Sequence, residues 1–533
     1  VRRYPFWTAA ALGLVAVVAT PYLPLLTSLL GGGGESWAHV RDTVLLRYAA
    51  NTVLLVGFSA ALATVMGAGG AWLLERYQLP ARTALELLFV APLALPVYIG
   101  TFTWSGILAW GGPVYRAVGV TVPFRGWPAA VFVLTVGLYP YVFLTTRAAL
   151  KANSRVLYEV VASLGGSGDP GGVGRWALRR RFWEGVVPLL RPAIVGGASL
   201  VAMEVMNAYA TPVYLGVETL STGVFRTWFG LGDLPTATLL AAIVLIAMFG
   251  LIALEQVGRG RRRYTASGGA PARRVVLSRR GTLAAMATVV APPLLGFVLP
   301  VVQLVSWTGR AIVAGGTGTI GAIAASAGRT VLLAGGATVV IVAIAVVINL
   351  AAYLRPGRLL DGALWVAGIG YAVPGTVVAI GVLAVFRRLS LIDDRLFLFG
   401  TVGGLVFAYA ARYLAVAVQP VRAGFARQHR STVDAARSLG NGPFRVLTRV
   451  VLPVFRPTLA AAALLAAIDI IKDLPMTLLL RPFDFSTLAV EVYRLASDER
   501  MPEAAPRALL LVAVGILTIW VIMKSARGEQ EKR

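Results

Sequence analysis

Residues 434–457 read DAARSLGNGPFRVLTRVVLPVFRP, a basic and only half-apolar segment between two of the most hydrophobic stretches of the chain, about 399–420 and 456–480. Ser431 or Thr432 is placed to cap a short helix, and Asp434 in its first turn favours the helix dipole. Ala435 and Ala436 are small enough to let another protein approach closely. Gly440 permits the left-handed turn that stops a helix, and Asn441-Gly442-Pro443 reinforce the stop. A basic amphipathic stretch, 444–451, then leads back to Pro453. Taken alone, such a helix fits a partner protein or a layer of lipid headgroups drawn to its arginines.

The surroundings set the class of the molecule. The chain has 533 residues, 57% hydrophobic and only 14% charged, with mean hydropathy +0.76; a soluble domain carries about 25% charged residues. The apolar residues arrive in blocks of about 20 or more, the length that crosses a hydrocarbon core as a helix. The chain is therefore read as an all-α, multi-pass integral membrane protein. It has no cysteine, which excludes disulfides, thiolate metal sites and iron–sulfur clusters. Its two histidines, His39 and His429, are far apart and lack ligand-like neighbours, so no metal site is assigned. No nucleophile–base constellation points to an enzyme. None of the four lysines (Lys151, Lys472, Lys524, Lys532) follows a glycine, so there is no phosphate-binding P-loop and no ATP site in this chain.

Apolar runs set against charged or Gly/Pro-rich breaks predict twelve spans in two groups of six. The first six are about 5–30, 51–75, 84–110, 128–148, 190–214 and 236–255. The second six are about 282–306, 329–354, 361–386, 399–420, 456–480 and 507–524. The block 5–30 is too long for a signal-peptide core and is read as a retained first span. The stretch 258–281, with a Ser/Gly/Pro centre and arginine flanks, reads as a basic linker between halves 1–257 and 282–533. Arginines concentrate in the loop after span four, in this linker and in the loop after span ten. A twelve-span count puts all three on one side with both termini, and short cationic loops mark that side as cytoplasmic. This topology accounts for most of the formal net charge of +25 without nucleic acid.

The two groups repeat each other. Pro188 over Pro453, a shift of 265, lays PLLRPAI on PVFRPTL, Glu204 on Asp469, Asn207 on Lys472, Ser221-Thr222 on Ser486-Thr487, and Trp228 on Tyr493. At a shift of 278, Thr52-Val53-Leu54-Leu55 matches Thr330-Val331-Leu332-Leu333, and Pro96 matches Pro374. Both halves run in the same order, so the expected pseudo-twofold axis lies along the membrane normal. The second loop has a counterpart in the first half, which turns the balance from a lipid-resting helix to a paired docking device.

Asp434-Ala435-Ala436, Gly440 and Leu452-Pro453 resemble the E-A-A-x3-G-x9-I-x-L-P signature of the permease subunits of bacterial ATP-binding-cassette importers, with Asp for Glu and Val for Ile. The first half, 159–188, is looser: Glu159, Gly165 and Pro188 keep the pattern, with about ten extra residues around GSGDPGGVGRWALRRR. The resemblance implies a MetI-like type I importer permease fold in the bacterial cytoplasmic membrane. It also implies that the two loops dock a cytoplasmic ATPase, one copy for each loop, which carries the Mg-ATP. The length, the fused halves and the run KDLPMTLLLRPFDFSTLAVEVYRLASDE (472–499) are similar to the ferric-iron group. That group implies an extracytoplasmic iron-binding protein as the delivering partner.

Read from the residues, the intramembrane acids are the pathway candidates, because a carboxylate in the membrane is costly and faces a cavity or a partner. Glu204 and Asp469 are repeat equivalents, with Asn207, Lys472 and Asp473 close by; a hard trivalent cation favours such oxygen ligands. The alternative for Asp469 is an intrahelical ion pair with Lys472. Asn207, Tyr209 and Tyr214, and Arg481, Asp484 and Glu491, lie toward the outer face as candidate contacts for a binding protein. Thiamine, polyamine, phosphonate or sulfate cargo remains open within the importer class. From another class, a secondary transporter driven by protons or sodium also has twelve helices in two halves but needs neither docking loop nor ATPase.

Overall fold

A computed structural model describes residues 5–152, 187–259, 274–313, 318–392, 398–427, 445, 448–449 and 452–530. Among these residues there is no strand, only an isolated bridge between Tyr77 and Val275. The first half contributes α1 (Pro5–Ala19), α2 (Tyr22–Gly31), α3 (Trp37–Thr43), α4 (Leu45–Arg76), α5 (Arg82–Val90), α6 (Val97–Leu108), α7 (Pro113–Val118), α8 (Gly126–Ala152), α9 (Val187–Asn207), α10 (Ala210–Leu215), α11 (Leu220–Leu231) and α12 (Leu234–Arg259). The second half contributes α13 (Arg279–Pro293), α14 (Leu299–Val313), α15 (Gly318–Leu354), α16 (Arg358–Ile369), α17 (Gly375–Ser390), α18 (Val402–Arg427), α19 (Arg456–Lys472), α20 (Pro475–Leu480), α21 (Leu488–Ser497) and α22 (Met501–Gln530). Eight described helices are long and apolar enough to cross a membrane, and three sharply bent pairs raise the number to eleven. The 17-residue α19, continued after a break by α20, supplies the remaining expected span.

Helices α4 and α15 show how the sequence specifies the packing. On α4 the buried positions are Tyr48, Thr52, Leu55, Ser59, Ala63, Gly67, Gly70, Ala71 and Leu74, a stripe at spacings of three and four along one face. Most of these side chains are small, which lets neighbouring backbones come close where no hydrophobic effect drives helices together. Val53, Phe58 and Val65 on the other faces are exposed, as lipid-facing residues are. On α15 the buried residues include Ser326, Thr330, Leu333, Ala337, Ile341, Ala345, Ile348 and Asn349, the positions of this stripe displaced by the same 278 that aligns the sequences.

Three spans read from hydropathy as single helices are broken. The segments on either side of Thr20 meet at 51°, those at Leu95-Pro96 at 94°, and those at Val373-Pro374 at 114°. The last two have one cause. A residue before proline is pushed out of the helical region, and Leu95 and Val373 are extended, with ψ of 113° and 131°. The breaks fall on the matched prolines, so the repeat extends to the way each half interrupts its third span.

The chain forms two compact units. One comprises Arg47–Thr219 with Ile246–Thr308; the other comprises Val1–Leu46, Leu220–Leu245 and Gly309–Arg533. Each is completed by the first span of the other half of the sequence. In the first unit α13 packs on α5, and Leu295 O accepts a hydrogen bond from Trp104 Nε1 at 3.0 Å. In the second, α1 packs on α15 and α16, α2 packs on α17, and Tyr22 donates to Ala411 O at 3.1 Å. The halves 1–257 and 282–533 describe the repeat, whereas these units describe the packing. Also in the second unit, Asp233 binds the turn before α3 to the start of α12. Its carboxylate accepts from Ser36 N, Thr236 N and Thr236 Oγ1 at 2.8–2.9 Å, and Thr236 Oγ1 accepts from Gly34 N.

Candidate functional site

The fifth span of each half also breaks, at equivalent places: α9 stops at Asn207 and α10 starts at Ala210, while α19 stops at Lys472 and α20 starts at Pro475. Glu204 and Asp469, expected well inside continuous helices, instead occupy the last turn before the break, and Asn207 and Lys472 are the final helical residues. All four are half-buried. A carboxylate in the last turn opposes the helix dipole, at a cost of about 0.3–1 kcal/mol. Local helix stability therefore does not explain two acids at these positions. For Asp469 the charge of Lys472, three residues on, offsets part of that cost.

Asp473, in the second break, is held differently. Its side chain is 1% exposed, and its Oδ1 accepts from Tyr413 Oη at 2.9 Å and pairs with Arg412 Nη1 at 3.4 Å. Its Oδ2 accepts from Thr477 N and Thr477 Oγ1, each at 3.1 Å, so it caps the start of α20. Tyr409 Oη and Thr477 Oγ1 are hydrogen-bonded at 2.5 Å, and the Arg412 guanidinium lies 5.2 Å from the centre of the Tyr413 ring. The cluster pins α18 to the α19–α20 break. Room for Arg412 comes from Gly375, where a Cβ would collide with Arg412 Nη1. Asp473 thus carries four polar contacts and sits sequestered, unlike the half-buried Asp469.

The first half fills the same junction without charge. Arg147-Ala148 on α8 corresponds to Arg422-Ala423 on α18, a shift of 275, which places Gly137 opposite Arg412. Ala208 corresponds to Asp473 and Val97 to Gly375 at the shifts already given. Val97 leans on Gly137, where a Cβ would lie 3.1 Å from Val97 Cγ2. The polar link here is a hydrogen bond of 2.9 Å between the hydroxyls of Thr101 on α6 and Thr211 on α10.

A second ionic group lies at the arginine-rich end of the first half. Arg147 lies near the end of α8, and its guanidinium pairs with Glu75 at 2.9 Å and Glu86 at 2.5 Å. Arg82 pairs with the same two carboxylates at 2.5 and 3.1 Å. The four side chains are only 12–21% exposed. Nothing in the hydropathy reading marked this quartet; the signal was two acids, Glu75 and Glu86, on the side where arginines prevail.

Of the docking-loop residues, Pro188 lies in the first turn of α9, and Leu452 and Pro453 form the short helix Leu452–Val454 just before α19. Glu159, Gly165, Asp434, Ala435, Ala436 and Gly440 lie outside the described residues. Among the outer-face candidates, Arg481 holds its own loop by donating to Phe485 O at 3.0 Å and Ser486 Oγ at 3.1 Å. Glu491 pairs with the buried Arg507 at 3.4 Å, and Tyr209 is buried. Among the described residues no group of three or more His, Cys, Asp or Glu side chains is arranged to hold a metal ion.

Residues 341–528, from the middle of α15 into α22, match the family described as "Binding-protein-dependent transport system inner membrane component". The second half of the chain thus carries the signature of this transport class, and the whole chain is similar to its permeases. It is 25% identical over 536 residues to the Fe(3+)-transport system permease protein FbpB 2 of Haemophilus influenzae, covering 98% of this chain and 99% of that protein. It is 24% identical over 503 residues to the probable ABC transporter permease protein y4fN of Sinorhizobium fredii, covering 90% and 86%. It is also 24% identical to the sulfate transport system permease protein CysT of Escherichia coli, over 45% of this chain and 88% of that one.

Proposed function

We propose that this permease carries ferric iron inward across the bacterial cytoplasmic membrane, with both termini on the cytoplasmic side. Energy comes from ATP hydrolysed with magnesium on a separate cytoplasmic ATPase, two copies of which engage the loops 159–188 and 434–453. Cargo arrives from an extracytoplasmic solute-binding protein. The observation that carries the choice of cargo is the end-to-end similarity to the Fe(3+)-transport permease, 98% of this chain, against less than half for the sulfate permease. The chemistry supports it: Glu204 and Asp469 offer carboxylate oxygens at equivalent turns of the two halves, and hard cations take oxygen ligands. Coupling follows from the loops. Closure of the ATPase pair on nucleotide pushes 434–440 and 159–165, and each push enters the membrane through Leu452-Pro453 into α19 and through Pro188 into α9.

The test is uptake by proteoliposomes holding the permease with its ATPase. With a binding protein loaded with labelled ferric ion outside and ATP inside, iron should accumulate. Scrambling 434–440 and 159–165 together should abolish ATPase binding and uptake. ATP-dependent uptake of sulfate or thiamine in place of iron would overturn the cargo. Uptake driven by an ion gradient without ATP would overturn the mechanism.

A further inference from the structure

The quartet Glu75, Arg82, Glu86 and Arg147 joins three helices at one end. Glu75 lies in the last turn of α4, Arg82 and Glu86 on α5, and Arg147 in the last two turns of α8. Each guanidinium meets both carboxylates and each carboxylate meets both guanidiniums, so displacing any one helix end loosens two ion pairs at once. The described end of the linker is tied to the same place. Val275 N donates to Arg76 O and Gln78 N donates to Val275 O, both at 3.0 Å, and Arg274 lies 4.0 Å from Glu75. Helix α8 ends at Ala152, seven residues before Glu159.

Among the described residues the second half lacks this arrangement. At the shifts of 278 and 275, Tyr353, Leu360, Leu364 and Arg422 stand where the first half has Glu75, Arg82, Glu86 and Arg147. Arg422 has only a 3.9 Å approach to Asp361, with both side chains more than half exposed, a pair of little energetic weight. The neighbouring contact is aromatic, Tyr353 on Phe425 and Phe425 on Phe455, at 5.2 and 4.6 Å between ring centres.

We propose that the quartet is a positioning device for energy coupling: it makes the ends of α4, α5, α8 and the linker one rigid block. A push on the first docking loop then moves this block as a unit, whereas the second loop works on an apolar end free to slide. The inference rests on the ATPase-coupled reading above and assigns the first half the stiff lever.

The chain has no cysteine of its own, so introduced pairs can carry spin labels without background. The exposed positions Gln78→Cys with Ala148→Cys report on the block, and Arg358→Cys with Ala423→Cys on its second-half counterpart. In the complete complex, the first pair should keep one distance distribution with and without trapped ATP, and the second should shift. Glu75→Gln with Glu86→Gln keeps shape and hydrogen-bonding capacity while removing the charge. It should release the first pair and lower iron transported per ATP by about fivefold or more, with ATPase co-purification intact. Asp361→Asn should leave the ratio unchanged. If the double variant does not assemble, Glu86→Gln alone should give a smaller loss of the same kind. A first pair that shifts in the unaltered complex, or an unchanged transport ratio in the quartet variants, overturns the inference. An unaltered complex whose ATPase ignores the binding protein would instead overturn the coupling reading itself.

Discussion

The two halves place their charges at different levels along equivalent helices, α8 and α18. In the first half the middle is neutral, with Val97, Gly137 and Ala208, and the arginine-rich end is ionic, with Glu75, Arg82, Glu86 and Arg147. In the second half the middle is ionic, with Gly375, Arg412 and Asp473, and the end is apolar and aromatic, with Tyr353, Leu360 and Leu364. The backbone plan is shared, down to the proline breaks at Pro96 and Pro374 and the interrupted fifth spans. A fold of this kind fixes where helices bend and which stripe is buried, and leaves open how each junction is filled. The two fillings are expected to exchange only as sets: a valine and two small residues on one side, a glycine, an arginine and an aspartate on the other. Charge inside a membrane protein is then a local choice of each half rather than a property of the architecture.

The sharpest way to break that comparison is to remove one member of the ionic set. Asp473→Ala leaves Arg412 buried without its carboxylate, which costs about 3–5 kcal/mol, and should strongly lower the thermal midpoint of the purified protein in size-exclusion assays. Converting the junction to the first-half solution, Gly375→Val with Arg412→Gly and Asp473→Ala, removes both charges and refills the space. It should recover most of the loss, because replacing a whole buried pair is far cheaper than orphaning half of it. If the triple variant is as unstable as the single one, the two fillings are not interchangeable and the comparison fails.

A functional asymmetry should follow at the acids before the breaks. Glu204→Gln keeps size and hydrogen bonding, and iron uptake should drop about tenfold, equivalent to roughly 1.4 kcal/mol in the barrier. Asp469→Asn should cost less, since Lys472 already offsets that charge. Initial rates of labelled-iron uptake at matched permease content decide this. Unchanged uptake in Glu204→Gln removes that residue from the pathway.

Much of this was legible in the sequence, for identifiable reasons. Spans such as 51–75 and 329–354 announce themselves because the membrane demands about 20 apolar residues in a row, and their repeat because buried stripes need small residues at fixed spacing. Breaks were less legible. Hydropathy is blind to direction, so 84–110 read as one span although Leu95-Pro96 carried the signal for a turn of 94°. The ionic clusters were least legible. Arg412 and Asp473 are 61 residues apart, and nothing local in either marks a partner. Arg147 was absorbed into the charge bias of its side, where its pairing with Glu75 and Glu86 has no sequence signature short of the fold.

The smallest effect sharpens the comparison from outside the junctions, at Asp233. Burial of this carboxyl opposes its ionisation, but hydrogen bonds from Thr236 and Ser36 outweigh it and hold its pKa below the ordinary carboxylate value. A depressed folded pKa means that the contribution is present above the unfolded value, about 3.9, and is lost as pH falls through the folded one. Asp233→Asn cannot accept all three hydrogen bonds and should cost about 0.5–1.5 kcal/mol, the net value of a lost hydrogen bond. That cost should be full at pH 7 and shrink toward zero as the acid limb is entered, since the parent loses the same contribution by protonation. In the second half Asp498, equivalent to Asp233 at the shift of 265, stands exposed before the last span, which begins at Met501. Substituting the exposed Asp498 or Glu499 by the corresponding amide should therefore leave the midpoint within about 0.5 kcal/mol at every pH. A pH-independent penalty at Asp233, or an equal one at Asp498, would show that the cap contributes through shape and not through its charge.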